Sequence, residues 1–295
     1  MKAGSIVEES MKVIILGATG MLGNAVFRLL SAKKNLDVWG TIRNPSAVRN
    51  FDTSQQAKLI AHMDVLQQDC LVDLFRKHKP DVVINCVGLI KQFDSASDAL
   101  AVLPVNAMLP HRLSRMCEAV GARLVHISTD CVFSGSKGAY TETDVSDAYD
   151  LYGKSKCIGE VIDSANTITL RTSIIGHEIN SQVSLVDWFL AQQGSVKGYT
   201  KAIFSGLPTV ELARVIRDHV LGEPQLSGLY HVSVDPIDKC SLLKLVAATY
   251  GKDIQIIEDA QVKIDRSLDS SKFRGATGYQ PPSWKSLIES MRDFK

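Results

Sequence analysis

The sequence predicts an α/β protein, a doubly wound parallel sheet followed by a smaller C-terminal lobe of mixed α/β structure. Three observations carry that prediction. Short, β-branched apolar runs alternate with amphipathic helical stretches from Met11 to about residue 173, as parallel strands joined by right-handed crossovers require. The first run, Lys12-Val13-Ile14-Ile15-Leu16, opens directly into a glycine-rich turn. Beyond residue 173 the alternation dissolves into helical, turn-rich and extended pieces of irregular spacing.

The first strand leads into Gly17-Ala18-Thr19-Gly20-Met21-Leu22-Gly23, after which apolar residues fall at 22, 26, 29 and 30. Strand, glycine turn and amphipathic helix in that order form a dinucleotide cradle of the Rossmann type. Gly17 permits the turn, Gly20 lets backbone approach a pyrophosphate, and Gly23 lets the helix pack on the sheet with its N-terminal amides facing the anion. Leu36 to Ile42 reads as the second strand. The position where an acidic residue would meet a ribose 2′-hydroxyl carries Arg43 instead, while Asp37 lies at the wrong end of the strand. A guanidinium there suits a 2′-phosphate, so NADPH is favoured over NADH.

Leu59 to Met63 is expected as a third strand leading to Asp64 and Val65. A helix to His78 precedes the fourth strand, Pro80 to Gly88. Residues 95 to 119 read as a long helix interrupted near Pro104 and Pro110, with Asn106 between them, and Arg123 to Ile127 as the fifth strand. Ligands of an open parallel sheet sit beyond the carboxyl ends of its strands, so Gly17, Arg43, Asp64, Val87 and Thr129 should share one rim. His126 reads as a packed strand residue. Thr167 to Ser173 is the sixth strand. Residues 11–173 are therefore read as the dinucleotide domain and 174–295 as mainly a substrate lobe, segments of which can return to the first domain. Residues 1–10 are read as a frayed extension. In the lobe, helices are expected at 183–193, 209–221 and 240–250, a turn-rich stretch at 194–208 and an extended one at 229–232. The stripes Leu185, Trp188, Phe189 and Leu212, Val215, Ile216 are read mostly as core.

The chemistry is expected between Ile127 and Lys156. Ser128-Thr129-Asp130 follows an apolar run, and Tyr152-Gly153-Lys154-Ser155-Lys156 follows a polar loop. On a helix Tyr152 and Lys156 share a face. An ammonium beside a phenol favours phenolate and so lowers its pKa, while a hydroxyl from Thr129 can hold a carbonyl against that phenol. These groups suit the reversible reduction of a ketone. Tyr140, Tyr149 and Tyr199 are followed at the fourth position by Asp144, Gly153 and Ile203, so the pairing is specific to Tyr152.

Composition narrows the class. The chain has 295 residues, 45% hydrophobic and 22% charged, with a net charge of +1. That gives no electrostatic footprint for nucleic acid or a membrane surface. Its six cysteines are scattered without C-x-x-C or metal-like spacing, which predicts reduced thiols, no metal and a cytoplasmic setting. No run of 18 apolar residues and no leader pattern is present. Cys131 is read as a small apolar filler because no histidine is placed to activate it.

Gly17 to Gly23, Asn85 to Gly88, Ser128-Thr129-Asp130 and Tyr152 with Lys156 together resemble the extended short-chain dehydrogenase/reductase superfamily. Within it the likeness is to the dTDP-4-dehydrorhamnose reductase family. Local stretches strengthen it: Ser128 to Gly135, Arg171-Thr172-Ser173, Gly206-Leu207-Pro208-Thr209, Gly228 to His231 and Asp265 to Ser270. The resemblance implies reduction of the 4-keto group of a nucleotide-linked 6-deoxyhexose, in deoxysugar synthesis for surface polysaccharide. It implies Thr129, Tyr152 and Lys156 as the catalytic trio, with Lys156 also holding the nicotinamide ribose. It adds Thr19, Met21, Leu22, Val65, Cys86, Val87, Gly88, Asn106, Ser128 and Thr172 to the cofactor contacts. On the substrate side Asp130, Cys131, Val132 and Phe133 are expected, with Trp188 a candidate to stack on a nucleotide base and Arg266, in a polar break, a candidate for the diphosphate; a homodimer is compatible with this.

Two departures bear on the substrate. The family's usual tyrosine after Ser-Thr-Asp is Cys131, and its alanine-rich end of strand four is Cys86-Val87-Gly88-Leu89-Ile90-Lys91-Gln92. A UDP-linked, N-acetylated 4-keto-6-deoxyhexose is therefore an alternative to the dTDP-sugar. Two further alternatives are a nucleotide-sugar epimerase or dehydratase that regenerates its cofactor in place, and a regulatory subunit that only binds dinucleotide. No Asp-Glu pair follows Thr129, as a dehydratase would want, and the Tyr/Lys pair that a binding subunit could lose is present.

Overall fold

The computed structural model describes residues 10–90, 97–179 and 183–294. Its central sheet is built from β1 (Met11–Leu16), β2 (Leu36–Thr41), β3 (Leu59–Ile60), β4 (Val82–Asn85), β5 (Arg123–Thr129) and β6 (Thr167–Thr172). β7 (Ile174–Ile175), β8 (Ser195–Tyr199), β9 (Ala202–Phe204) and β10 (Leu207–Pro208) lie outside it, and β11 (Gly228–His231) returns to its edge. The order is β11-β6-β5-β4-β1-β2-β3, all pairs parallel. The order reverses between β1 and β4, the switch point at which such sheets bind ligands.

The helices are α1 (Met21–Ser31), α2 (Thr53–Gln56), α3 (Gln68–His78), α4 (Ala99–Val102), α5 (Leu109–Val120), α6 (Leu151–Ile158), α7 (Leu185–Ala191), α8 (Thr209–Val215), α9 (Lys239–Tyr250), α10 (Ser271–Thr277) and α11 (Trp284–Asp293). Val13, Ile15, Val82, Ile84 and Val125 face α1 and α8, whereas Ile14, Leu16, Val83 and Leu124 face α3 and α5. Burial on both faces explains why these strands read as continuous apolar runs. A separate core joins α7, α9, α11 and β8 through Val186, Phe189, Val196, Leu242, Leu243 and Ile288.

Several expectations change. β3 stops at Ile60 because His62 takes a positive φ of 60°, a conformation that ends strand pairing. The interruption near Pro104 and Pro110 is a π-helical turn over Leu103–Met108 between α4 and α5. The stretch at 194–208 is not merely turns: it contains β8, β9 and β10, and β8 pairs in parallel with β13 (Gln255–Asp259). Here β12 (Ile237–Asp238) and β14 (Ile264–Asp265) flank β9. These pairs are long-range, so a window of local sequence carries little trace of them. Residues 1–9 and the Lys91-Gln92 end of the fourth-strand segment lie outside the described residues.

Candidate active site

Gly17, Arg43, Asp64, Cys86 and Asp130 each follow closely on the carboxyl end of β1, β2, β3, β4 or β5, which puts them along one edge of the parallel sheet. At the glycine turn each glycine has its own reason. Gly17 has φ +84°, and a Cβ there would lie 3.0 Å from Val87 Cγ2. A Cβ on Gly23 would lie 2.1 Å from Gly17 O, so the close approach of α1 to the turn demands glycine. Gly20 is exposed, and its added Cβ would meet no protein atom nearer than 3.4 Å. The fold does not need glycine there; a ligand approaching the backbone would. As N-cap of α1, Gly20 supplies no side-chain cap, and the first turn holds no acidic residue. The amides and dipole of an 11-residue helix are thus left to an anion. These features fit a dinucleotide pyrophosphate.

Other residues of this end divide by orientation. Arg43 is exposed just beyond β2, and Thr19 and Met21 are half-buried. Leu22 and Val65 turn into the core at 6% and 8% exposure, so only their backbone can face a ligand. The Asp64 carboxylate accepts from Leu66 N at 2.9 Å, and Thr172 is buried with its hydroxyl on Ser173 O at 3.2 Å. Asn106, expected as a cofactor contact, spends its amide internally. It accepts from Leu89 N at 2.9 Å and donates to Leu89 O at 3.0 Å and Ser155 Oγ at 3.3 Å. It therefore holds the Val87-Gly88-Leu89 loop in place, and the π-turn is what brings it there.

At the other end of the crevice, α6 starts from Asp150, whose side chain caps Gly153 N at 2.7 Å, and it presents Tyr152 and Lys156 one turn apart. The Thr129 hydroxyl accepts from Cys131 N at 3.1 Å and donates to Asp130 Oδ1 at 3.2 Å. Burial raises the Tyr152 phenol above its usual pKa, Cys131 adds to this, and the Thr129 side chain opposes it. Lys156 Nζ donates to Ile127 O at 2.7 Å. Burial pulls the ammonium down to about 8. The expected ammonium-driven lowering of the phenol is therefore overturned. Desolvation outweighs it, and the ammonium is turned to the strand carbonyl. A neutral phenol beside a hydroxyl is a proton donor.

The substrate side is assembled from distant segments. Arg266 Nε donates to Phe133 O at 2.7 Å; burial raises the Asp130 carboxyl above its usual pKa, and the Arg266 charge offsets this only in part. Cys131 is half-buried, with its thiol pushed up to about 12 by burial and then Asp130. A thiol so rarely ionised is no nucleophile at neutral pH. Val132 and Phe133, expected at the sugar, are fully buried with Tyr140 and Leu268. Phe133 stacks on Tyr140 at 4.0 Å between centroids, so its carbonyl rather than its ring serves the site. Trp188, read as core, is 40% exposed, because α7 turns Val186 and Phe189 inward instead.

Ser128, expected at the cofactor, points away: its hydroxyl donates to Glu160 Oε1 at 2.6 Å. Glu160 also accepts from Arg171 Nε at 2.7 Å and Nη2 at 2.6 Å, and Arg171 Nη1 meets His231 Nε2 at 3.3 Å. Sequence reading passed over Glu160. The signal available was its place four residues after Lys156, beyond the fragment that carries the Tyr/Lys pattern.

Comparison with known proteins finds likeness along nearly the whole chain. The family described as "RmlD substrate binding domain" matches residues 11–293. The dTDP-4-dehydrorhamnose reductase of Aggregatibacter actinomycetemcomitans is 25% identical, covering 96% of this chain and 99% of its own. Methionine adenosyltransferase 2 subunit beta of Mus musculus is 30% identical over 51% of this chain and 42% of its own. A crystal structure of dTDP-4-dehydrorhamnose reductase from Bacillus anthracis str. Ames in complex with NADP has the same fold. It superposes with a TM-score of 0.79 at 20% identity, covering 97% of this chain and 100% of that one.

Proposed function

The chain belongs to the RmlD substrate binding domain family, and on that premise we propose that it is a nicotinamide-dependent reductase of the 4-keto group of a nucleotide-linked 6-deoxyhexose. The observation that carries the reading is the meeting of Thr129 and Tyr152 beside Lys156 at the rim that also bears the glycine turn. Gly17, Gly20 and the first turn of α1 would hold the pyrophosphate, Arg43 the 2′-phosphate of NADPH, and Lys156 the nicotinamide ribose. When bound, the reduced nicotinamide supplies the hydride.

Thr129 hydrogen-bonds the substrate oxygen and holds the carbonyl in place. Tyr152 gives that oxygen its proton as negative charge develops; an alkoxide is far more basic than a phenolate, so a phenol raised by burial still donates in this direction. Lys156, with a pKa near 8, keeps positive charge behind the phenol at neutral pH and steadies the phenolate left after transfer. Arg266 would meet the nucleotide diphosphate, where a planar guanidinium can pair with two oxygens. Trp188 is available to stack on a base. Residues 174–295 serve mainly as the substrate lobe, with α8 and β11 returning to the sheet of the first domain. Cys131, small and uncharged, admits a larger sugar substituent, which favours an N-acetylated sugar.

NADPH oxidation measured against a panel of dTDP-, UDP- and GDP-linked 4-ketohexoses tests the reading. Turnover with at least one is expected, and none with any would sink it. A second reading, a dinucleotide-binding subunit without turnover, draws on the likeness to the mouse subunit. It predicts NADPH binding with no oxidation in the same panel.

A further inference from the structure

A cavity of about 160 Å³ lies between α1, the start of α8 and the end of α11, with the 177–179 segment after β7 along one side. Met21, Asn24, Ala25 and Arg28 reach it from one face of α1, as helical spacing dictates. It is not the pyrophosphate cradle, because Arg28 lies about two turns down α1 from the amides at its start. Two polar residues of its lining are buried without a use in the fold. Asn24 is 9% exposed and Thr209 5%, and neither side chain hydrogen-bonds to any described residue. Burying an amide or a hydroxyl unpaired costs stability. Their polar atoms are not sealed off, and the cavity is what they open onto. Gly176 keeps that end clear: a Cβ there would lie 2.6 Å from Thr209 Oγ1 and 3.4 Å from Met21 Cγ.

Charge of both signs completes the lining. Arg28 is half-buried, its guanidinium 4.6 Å from the centroid of the Phe294 ring, and it ion-pairs with no described residue. Glu178 Oε2 accepts from Val183 N at 2.8 Å and Ser184 N at 2.9 Å, which fixes the carboxylate and leaves Oε1 for a ligand. His177 is wall only, since Asp187 Oδ1 at 2.6 Å and the Tyr250 hydroxyl at 2.8 Å occupy both its ring nitrogens. Ile179, Val210 and Met291 add an apolar surface. Water can bond to Asn24 and Thr209, but it makes no use of apolar walls or of two opposite charges held unpaired.

We propose that this cavity binds a small zwitterion, an aliphatic α-amino acid. Arg28 takes the carboxylate and Glu178 the ammonium, Asn24 and Thr209 bond to the same polar end, and the alkyl part lies against Ile179, Val210 and Met291. A cavity of ~150 Å³ takes a benzene-sized body, which sets the ligand at roughly six to nine non-hydrogen atoms. The site stands apart from the reductase reading and does not depend on it.

The test titrates L-valine into the full chain by calorimetry, beside isovalerate, which lacks the ammonium, and isobutylamine, which lacks the carboxylate. Valine should bind saturably with half-saturation below about 1 mM, and each of the other two at least about tenfold more weakly. Arg28→Met and Glu178→Gln should each weaken valine by about tenfold or more; the glutamine keeps an acceptor for both backbone amides, so misfolding does not explain its loss. Asn24→Leu keeps the volume and removes the amide. It should weaken valine without lowering the unfolding midpoint, because that amide holds nothing in the fold. Saturating NADPH should leave valine binding in place. No valine binding, or binding that survives both Arg28→Met and Glu178→Gln, would overturn the proposal. Isovalerate bound as tightly as valine would also overturn it, making the site one for simple carboxylates. Loss of valine binding under NADPH would do the same by making the cavity part of the cofactor site.

Discussion

The glycine turn and the crevice around Thr129 are two ends of one rim made in opposite ways. The turn is contiguous: seven residues, 17–23, supply its strand exit, its sharp corner and its helix start, and each steric demand is met within that stretch or by Val87. The crevice is composite, drawing Thr129 from the end of β5, Asp130 from just after it, Tyr152 from α6 and Arg266 from beyond β14. A contiguous device announces itself in sequence because backbone conformation restricts residue type locally. A composite one depends on topology, and its members look ordinary until the chain has folded.

If that contrast holds, substitutions in the crevice should impair turnover with the fold intact, and substitutions in the turn should impair the fold or cofactor binding. The largest effect is expected for Tyr152→Phe, which deletes the proton donor and keeps the ring. Turnover should fall by roughly 10² to 10⁴, with NADPH binding retained by titration. Full activity in this variant would refute the mechanism. Next comes Gly23→Ala. Its Cβ would sit 2.1 Å from Gly17 O, a backbone atom that cannot swing aside. A stability loss of about 1–3 kcal/mol should appear in denaturant unfolding. Gly20→Ala should leave unfolding nearly unchanged and weaken dinucleotide binding instead; equal destabilisation by the two would erase the distinction drawn between these glycines.

How much was legible follows the same line. The β1 turn, the α6 pair and the apolar strands were readable because local rules set them, with periods of two residues or of three to four. The pairing of β8 with β13 was not, since its partners are about 60 residues apart. The reading of Trp188 as core failed, its place on the substrate side being unaffected, because a helical stripe does not say which of two adjacent positions faces the core. Phe133 was misread because its nearness to Thr129 in the chain says nothing of its ring, which stacks on Tyr140 and lies under the Arg171 guanidinium, 5.1 Å from its centroid. The lowering of the Tyr152 pKa failed for a quantitative reason. Spacing puts an ammonium near the phenol, but only the folded environment shows burial outweighing it.

Smaller effects sharpen the contrast. Arg266→Ala should raise the KM for nucleotide-sugar about tenfold, the scale of one charge-assisted contact, with NADPH affinity unmoved. A KM that stays put would make Arg266 only a prop for Phe133 O. Arg43→Ala should narrow the preference for NADPH over NADH by less than about tenfold, because the guanidinium is exposed and screened by water and salt. Equal binding of both cofactors by the unaltered protein would remove Arg43 from the site.

The most direct test of the central claim is stoichiometry. Purified protein is given a nucleotide-linked 4-keto-6-deoxyhexose and limiting NADPH, and oxidised cofactor is counted against the 4-hydroxy nucleotide-sugar formed. A reductase gives one NADPH consumed per product; conversion of the sugar to an isomer at the same oxidation level, with no net NADPH consumed, would contradict the account and make the same groups those of an epimerase.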